Sequence, residues 1–273
     1  MNIALLPDRA VLEISGEDRL AFLQGLISND VTKARADQAI WAALLTPQGK
    51  WLADFFLIAT GDVLLLDAEA GQLAMLAQRL GRFRLRAKVA LRDASADWRV
   101  YAAWGEGAVP AGLAARDPRL PEAGWRVLAP AGLPTNASAE DYAAHRLALG
   151  LPDGSKDMEA EKSVLLEGGF DELHGISWTK GCYMGQELTA RTRYRGLLKR
   201  RLVPVAIEGP APERGTPIMT PDGAEAGEMR SSQGAQGLAL LRLEWLEKGA
   251  LAAGGARLTP QPPSWMKLPE PKA

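Results

Sequence analysis

The sequence contains few of the residues that form disulfides or bind metals. Its 273 residues include one cysteine and two histidines, so neither an internal disulfide nor a site of four cysteine or histidine ligands can form within one chain. Positive and negative side chains nearly cancel, 32 against 33, which leaves no global field to attract nucleic acid or an anionic membrane. We therefore expect no resident metal.

Membrane-spanning and secretory signals are also missing. No run approaches the roughly 18 uncharged apolar residues typical of a membrane-spanning helix. The first residues lack the basic segment, apolar segment and small-residue cleavage site of a secretory signal. We therefore expect no membrane contact and a cytoplasmic location.

The rest of the composition is that of an ordinary globular protein. Hydrophobic residues make up 47% and charged residues 24%, and the length suggests about two domains at about 150 residues each. Helical and strand-like runs follow one another without strict alternation, which favours an α+β fold over a doubly wound parallel sheet. Short strand-like runs after Gly196 indicate a small barrel or sandwich. We therefore place the domain boundary between 1–195 and 196–273.

Local patterns predict several separate features. Ser138 and Asp141 have the spacing of a capping box at the start of a helix. Apolar and basic residues alternate over 82–88, which predicts a strand with one buried face and one solvated cationic face. The Gly-, Ala- and Pro-rich stretch 107–124 is expected to be a loop, and the Pro-rich end 260–273 an extended surface tail.

The densest group of chemically useful residues runs from Lys180 to Glu187 and reads KGCYMGQE. Glycines on both sides of Cys182 permit a sharp turn or a close approach of the backbone to a ligand. Lys180 and Arg191 would favour the reactive thiolate, and Glu187 would oppose it. A free cysteine is also commonly buried as a small apolar residue, so the pattern leaves both a reactive and a packed thiol open.

The KGCYMGQE segment resembles the signature of the YgfZ family of folate-binding proteins, relatives of the glycine-cleavage T-protein, an aminomethyltransferase. Further segments match in order: FLQGLISNDV at 22–31, TPQGK at 46–50, GIS at 175–177 and a basic continuation at 191–201. The resemblance thus covers most of the chain. It implies α+β lobes around a central folate pocket with a C-terminal β-barrel. It also implies a role in assembly or repair of iron–sulfur enzymes, with effects on tRNA thiomethylation.

The resemblance implies tetrahydrofolate, or a one-carbon derivative of it, as the cofactor. Asp54 stands where the T-protein has an acidic residue that orients the folate and assists one-carbon transfer, and a carboxylate can accept hydrogen bonds from pterin N–H groups. The resemblance also implies that Cys182 is the functional thiol. The residues that would contact the cofactor are Asp54, Lys180, Tyr183, Gln186, Glu187 and Arg191.

One position departs from the T-protein pattern, because Ala148 stands where many relatives carry the acid that contacts the pterin. Whether Glu167 replaces that acid stays open. The substitution favours a non-catalytic accessory factor over the alternative, a folate-dependent aminomethyl or one-carbon transferase. The expected partners are folate and iron–sulfur client or assembly proteins. The cations of 191–201 leave contact with RNA phosphates open, although a solvated cationic face is the more common interpretation.

Overall fold

The computed structural model describes residues 1–246 and 251–268. Its first sheet is antiparallel, with the order β3-β4-β5-β2-β6, and α1 and α2 belong to the same lobe. Strand β4 is buried on both faces: Phe55 and Leu57 join the core that contains α2, and Phe56 and Ile58 join the core shared with the second sheet. The elements are β2 (Arg9–Ser15), α1 (Arg19–Gln24), β3 (Ile40–Leu45), β4 (Trp51–Thr60), β5 (Val63–Glu69), α2 (Leu73–Phe83) and β6 (Ala90–Asp93).

The second sheet has four strands in the order β1-β7-β9-β8, and α3 packs beside it. Ser138 accepts the Asp141 N–H at the start of α3, and the Asp141 carboxylate accepts the Ser138 N–H in return. The predicted capping box is therefore confirmed. The elements are β1 (Asn2–Leu5), β7 (Arg99–Trp104), β8 (Leu113–Arg116), β9 (Trp125–Ala129) and α3 (Ala139–Leu149).

The C-terminal strands close into a barrel of order β10-β13-β12-β11-β14-β15, which confirms an α+β fold with a small C-terminal barrel. The predicted boundary between residues 195 and 196 lies shortly before the first barrel strand and stays a prediction. The elements of this part are α4 (Gln186–Tyr194), β10 (Arg200–Glu208), β11 (Pro217–Met219), β12 (Glu225–Gln233), β13 (Gln236–Arg242), β14 (Leu251–Ala253) and β15 (Ala256–Pro260).

Three local predictions differ from the structure. The stretch 82–88 is not a strand, because the apolar face of α2 carries the helix to Phe83 and a turn follows. Within the expected loop 107–124, Leu113–Arg116 pairs with β9, so sheet pairing overrides its weak local signal.

The expected surface tail packs in part against the barrel. Met266 is buried in the barrel core, and the Trp265 indole N–H donates to the Leu149 carbonyl at 2.9 Å. The rest of the predicted tail, 269–273, lies outside the described residues. No helix in the described part of the chain has both the length and the hydropathy to span a membrane.

Candidate functional site

Cys182 lies on the surface, in the loop that precedes α4. Its side chain is exposed, while the next residue, Tyr183, is buried and anchors the loop. Burial raises the pKa of the Tyr183 phenol to about 12. Of the two interpretations that the sequence left open, the structure therefore excludes a thiol packed in the core.

The loop that carries Cys182 is held by the backbone of the first matched motif. The Lys180 ammonium donates to the carbonyl oxygens of Ile27 and Asn29, both at 2.7 Å, and burial lowers its pKa to about 8. Two residues beyond the thiol, the Met184 N–H donates to the Gly25 carbonyl at 3.1 Å. Lys180 thus ties down one side of the thiol loop and Met184 the other.

Side chains of the same motif hold the segment that leads into this loop. The Ser28 hydroxyl donates to the Gly175 carbonyl at 2.7 Å. The Asn29 amide donates to the carbonyls of His174 at 2.7 Å and Trp41 at 2.8 Å. Sequence reasoning did not assign these roles to Ser28 or Asn29. The available signal was that both residues belong to a matched motif but have no evident chemical role, which is typical of residues that hold a loop in place.

The TPQGK turn packs directly against the thiol loop through two glycines. Gly49 and Gly185 both have left-handed backbones, with φ of +82° and +80°. A Cβ atom on Gly185 would lie 2.5 Å from the Thr46 carbonyl oxygen, and one on Gly49 would lie 2.6 Å from the Gly185 oxygen. Three separate motifs of the sequence therefore meet at the loop that carries Cys182.

The remaining predicted residues of the signature serve the local structure. The Gln186 side-chain oxygen accepts the Tyr183 N–H at 3.3 Å. Glu187 and Arg191 form an ion pair one turn apart on the exposed surface of α4, a type of pair that contributes about 0.3–0.5 kcal/mol. In the structure, these three side chains contact the loop or each other.

Most of the cations in 191–201 have carboxylate partners. Glu167, considered above as a replacement for the acid missing at Ala148, binds Arg200 at 3.0 Å and accepts the Val164 N–H. Ala148 itself is exposed. The ion pairs are Arg191–Glu187, Arg193–Asp171, Arg200–Glu167 and Arg201–Glu172.

Asp54 is buried between two tryptophans of the central strands. The indole N–H groups of Trp41 and Trp51 donate to its two carboxylate oxygens, at 2.9 and 3.2 Å, and the residue is only 4% exposed. The Trp41 ring stacks on Phe170 with ring centroids 3.8 Å apart, and the Arg119 guanidinium lies 5.4 Å from the Trp41 centroid. Each carboxylate oxygen keeps a second lone pair, but Asp54 is buried between the two indoles, which leaves a pterin no access to it in this structure, so the surroundings of Asp54 do not fit a pterin.

Asp54 is buried in the core and Cys182 is exposed on the surface, and the two best-formed cavities in the described part of the chain include neither of them. These cavities have volumes of about 380 and 190 Å³. The larger one lies where the β1–β2 turn, α3 and the barrel meet, the place where the resemblance implies a central pocket. Asp153 is shared by Arg9, Arg146 and Lys156. Since Asp8 and Glu140 also line this cavity, its three positive and three negative side chains cancel.

The buried carboxylate predicts a specific pH dependence. Burial raises the pKa of Asp54 from 3.8 to about 6, so the folded chain binds this proton more tightly than the unfolded chain. Protonated Asp54 therefore contributes to the free energy of unfolding. This contribution is fully present below about pH 4 and is lost as the pH rises to about 6. Relative to Asp54→Asn, the wild-type free energy of unfolding should fall by about 3 kcal/mol over this range.

Denaturant unfolding of both proteins at a series of pH values measures that difference. The absolute stability of the variant is not the test, because its amide can accept only one of the two indole hydrogen bonds. A difference that is constant from pH 4 to 7 would contradict the assigned burial of the charge.

Comparisons with known proteins agree with the fold and the motifs. Residues 199–268 match the CAF17 C-terminal beta-barrel domain family. The chain is 34% identical over 278 residues to the iron-sulfur cluster assembly factor IBA57, mitochondrial, of Homo sapiens, covering 89% of this chain and 77% of that protein. For the corresponding protein of Mus musculus the identity is 32% over 283 residues, covering 90% and 78%.

A fungal relative and a solved structure complete the comparison. The IBA57 homolog of Mycosarcoma maydis is 35% identical over 230 residues, which are 76% of this chain but only 57% of the fungal protein. The crystal structure of the glycine cleavage system aminomethyltransferase T from Bartonella henselae superposes with a TM-score of 0.73 at 14% identity, covering 97% of this chain and 86% of that chain. At this low identity the superposition shows the fold alone.

The relatives also correct one expectation. All three matched assembly factors are named as mitochondrial proteins, so the expected cytoplasmic location is wrong. That expectation came from the lack of a recognisable targeting segment in the first residues.

Proposed function

Because the chain belongs to the IBA57 family of iron–sulfur cluster assembly factors, we propose that it is an accessory factor in iron–sulfur protein assembly, with Cys182 as its functional thiol. The observation that carries the proposal is the exposed thiol at the meeting point of three motifs. The closer assignment to the YgfZ branch, which rests on the KGCYMGQE signature, is part of the same proposal.

A single thiol defines what the protein can do with a cluster. A thiolate is a soft ligand for iron and also a nucleophile, but iron–sulfur clusters generally take four protein ligands. Within the described residues, no group of three or more His, Cys, Asp or Glu side chains is placed to hold a metal ion. We propose that the cluster is cargo and that a partner protein supplies the other ligands when Cys182 contacts it.

Aminomethyl transfer is not part of the proposal. Asp54 is buried beside the two indoles that donate to it, and the buried Glu167 is paired with Arg200, so neither carboxylate is presented to a pterin in this structure. Tetrahydrofolate, the cofactor that the resemblance implies, therefore has no anchor at Asp54 in this chain. Saturable binding of tetrahydrofolate that Asp54→Asn abolishes would contradict this conclusion.

Direct RNA binding is a weaker explanation for any effect on tRNA thiomethylation. Four of the six cations between 191 and 201 are paired with carboxylates, which leaves few to neutralise phosphates. We propose instead that such an effect arises through the iron–sulfur enzyme that carries out the modification.

A complementation experiment tests the proposed function. Cells that lack this protein are expected to lose activity of [4Fe–4S] enzymes such as aconitase, while enzymes without a cluster keep theirs. Expression of the full chain should restore the lost activities. Equal activities with and without the protein, measured in the same extracts together with iron–sulfur cluster content, would refute the proposal.

A further inference from the structure

The end of α2 and the turn that follows it expose two large apolar side chains. Leu85 is 89% exposed and Phe83 is 44% exposed. The backbone of Leu85 has φ of +44°, in the left-handed region that residues with a Cβ atom disfavour. The fold thus holds Leu85 in an unfavourable conformation with its side chain in solvent.

Unpaired cations surround these two apolar residues. Arg82, Arg84 and Arg86 are exposed, and within the described residues none of them has a carboxylate partner. The Arg84 guanidinium donates to a backbone carbonyl, that of Val89, at 3.5 Å. The sequence from 70 to 92 contains no Asp or Glu. The nearby Glu17 and Asp18 contact Lys88, so the charges of the three arginines stay uncompensated within the described residues.

Lys88, which follows this segment by two residues, and the thiol loop contact opposite ends of one short helix. At the start of α1, Asp18 accepts the Lys88 N–H at 2.7 Å. Just beyond its end, the Gly25 carbonyl accepts the Met184 N–H at 3.1 Å. The six residues of α1 rise about 9 Å, and its exposed Leu20 lies between the two ends.

We propose that the segment 82–86, which we term the docking knob, binds an acidic protein surface with an apolar pocket. The proposal rests on the proposed function: the occupant is the protein that shares an iron–sulfur cluster with Cys182. A partner that reaches Cys182 also covers its surroundings, since a standard interface buries about 800 Å² on each side. Leu85 would fill the pocket, and the arginines would meet the surrounding carboxylates.

The chemistry of the docking knob favours an acidic protein as its partner over RNA or an anionic membrane. RNA offers phosphates but no apolar pocket for a leucine side chain. An anionic membrane binds amphipathic helices through a much larger apolar face than two side chains provide. RNA and membrane binding are therefore outcomes of the test that would overturn the proposal.

The experiment separates docking from stability through Leu85→Gly. Glycine suits the left-handed backbone, so the melting temperature should stay the same or rise, whereas a structural role for the leucine would lower it. The full chain, with p-benzoylphenylalanine in place of Phe83, is photo-crosslinked in cells. We expect one discrete adduct with an acidic iron–sulfur protein, reduced about tenfold or more by Leu85→Gly and by Arg82→Glu with Arg86→Glu.

Val109→Gly is the matched control, because Val109 is also an exposed apolar residue, in a loop of the second sheet. It should leave the adduct unchanged. An adduct insensitive to Leu85→Gly or removed by ribonuclease would overturn the proposal. Knob-dependent binding of the purified chain to phosphatidylcholine–phosphatidylserine vesicles, in place of a protein adduct, would also do so.

The two proposals can fail separately. Normal rescue of enzyme activities without any knob-dependent adduct would overturn the docking proposal alone. A knob-dependent acidic adduct in cells whose iron–sulfur enzymes do not need this protein would support the docking surface and refute the assembly function.

Discussion

Replacing Cys182 by serine is expected to abolish the rescue of iron–sulfur enzyme activity while leaving the fold intact. The side chain is exposed, and substitutions at such positions usually change the free energy of unfolding by no more than about 0.5 kcal/mol. Serine has the same shape, but its hydroxyl is neither a soft iron ligand nor a thiolate nucleophile. Aconitase activity in complemented cells and the denaturation midpoint of the purified protein measure the two effects.

Thr179→Ala provides the matched control for this variant. Thr179 is exposed in the same loop and carries no proposed chemistry, so its variant should restore enzyme activity fully. If Cys182→Ser restores activity as well as Thr179→Ala does, the thiol is not the functional group, and the three motifs would have to serve another purpose.

The sequence identified the segments of this site but not their mutual contacts. The FLQGLISNDV, TPQGK and KGCYMGQE runs were each recognisable, and a resemblance over most of the chain implied the fold. Nothing in a linear sequence shows that the Lys180 ammonium reaches the carbonyls of Ile27 and Asn29, more than 150 residues away. Backbone carbonyls carry no sequence signature, so contacts of this kind appear only in three dimensions.

Asp54 shows that a matching position does not by itself establish a folate-binding role. Its position matched an acidic residue of the T-protein, but its neighbours depend on strand register. In the β3–β4 pair, Ala43 lies opposite Asp54 and Trp41 lies opposite Phe56. This register places Trp41 diagonally across from Asp54 on the same face. Trp51 is three residues away and would face the other side of a regular strand, but the register shift at Leu44 and Leu45 brings it to the same face. Both tryptophans are fully buried, and their hydrogen bonds to Asp54 follow from a register that the sequence does not show.

The segment 82–88 shows the limit of periodicity as a signal. Alternating apolar and basic residues fit a strand, yet the preceding residues fit a helix whose buried side is formed by Leu73, Leu76 and Leu80. A strand needs pairing with a neighbouring strand to be stable. In this region such pairing begins only with β6 at Ala90, so 82–88 does not form a strand. The same residues that mimic a strand pattern instead end a helix and expose Leu85.

Gly185→Ala is expected to lower both stability and rescue, even though Cys182 remains. A left-handed backbone costs a residue with a Cβ atom about 1–2 kcal/mol. In addition, the new Cβ would lie 2.5 Å from the Thr46 carbonyl oxygen and 2.9 Å from the Leu45 Cβ, so the thiol loop or the TPQGK turn must move. We expect unfolding at a denaturant concentration well below that of wild type, and rescue close to that of Cys182→Ser.

Gly223→Ala separates the cost of the left-handed backbone from the cost of the close Cβ contacts. Gly223 has φ of +84°, close to that of Gly185, but a Cβ atom there meets nothing within 4 Å. It lies in the barrel turn before β12, so its variant should lose only the backbone contribution and keep full rescue. If Gly185→Ala loses no more stability than Gly223→Ala and also keeps its rescue, close packing of the two motifs does not position the thiol. If the extra destabilisation and the loss of rescue occur together, the close packing of Gly185 against Leu45 and the TPQGK turn is what holds Cys182 in place for its partner.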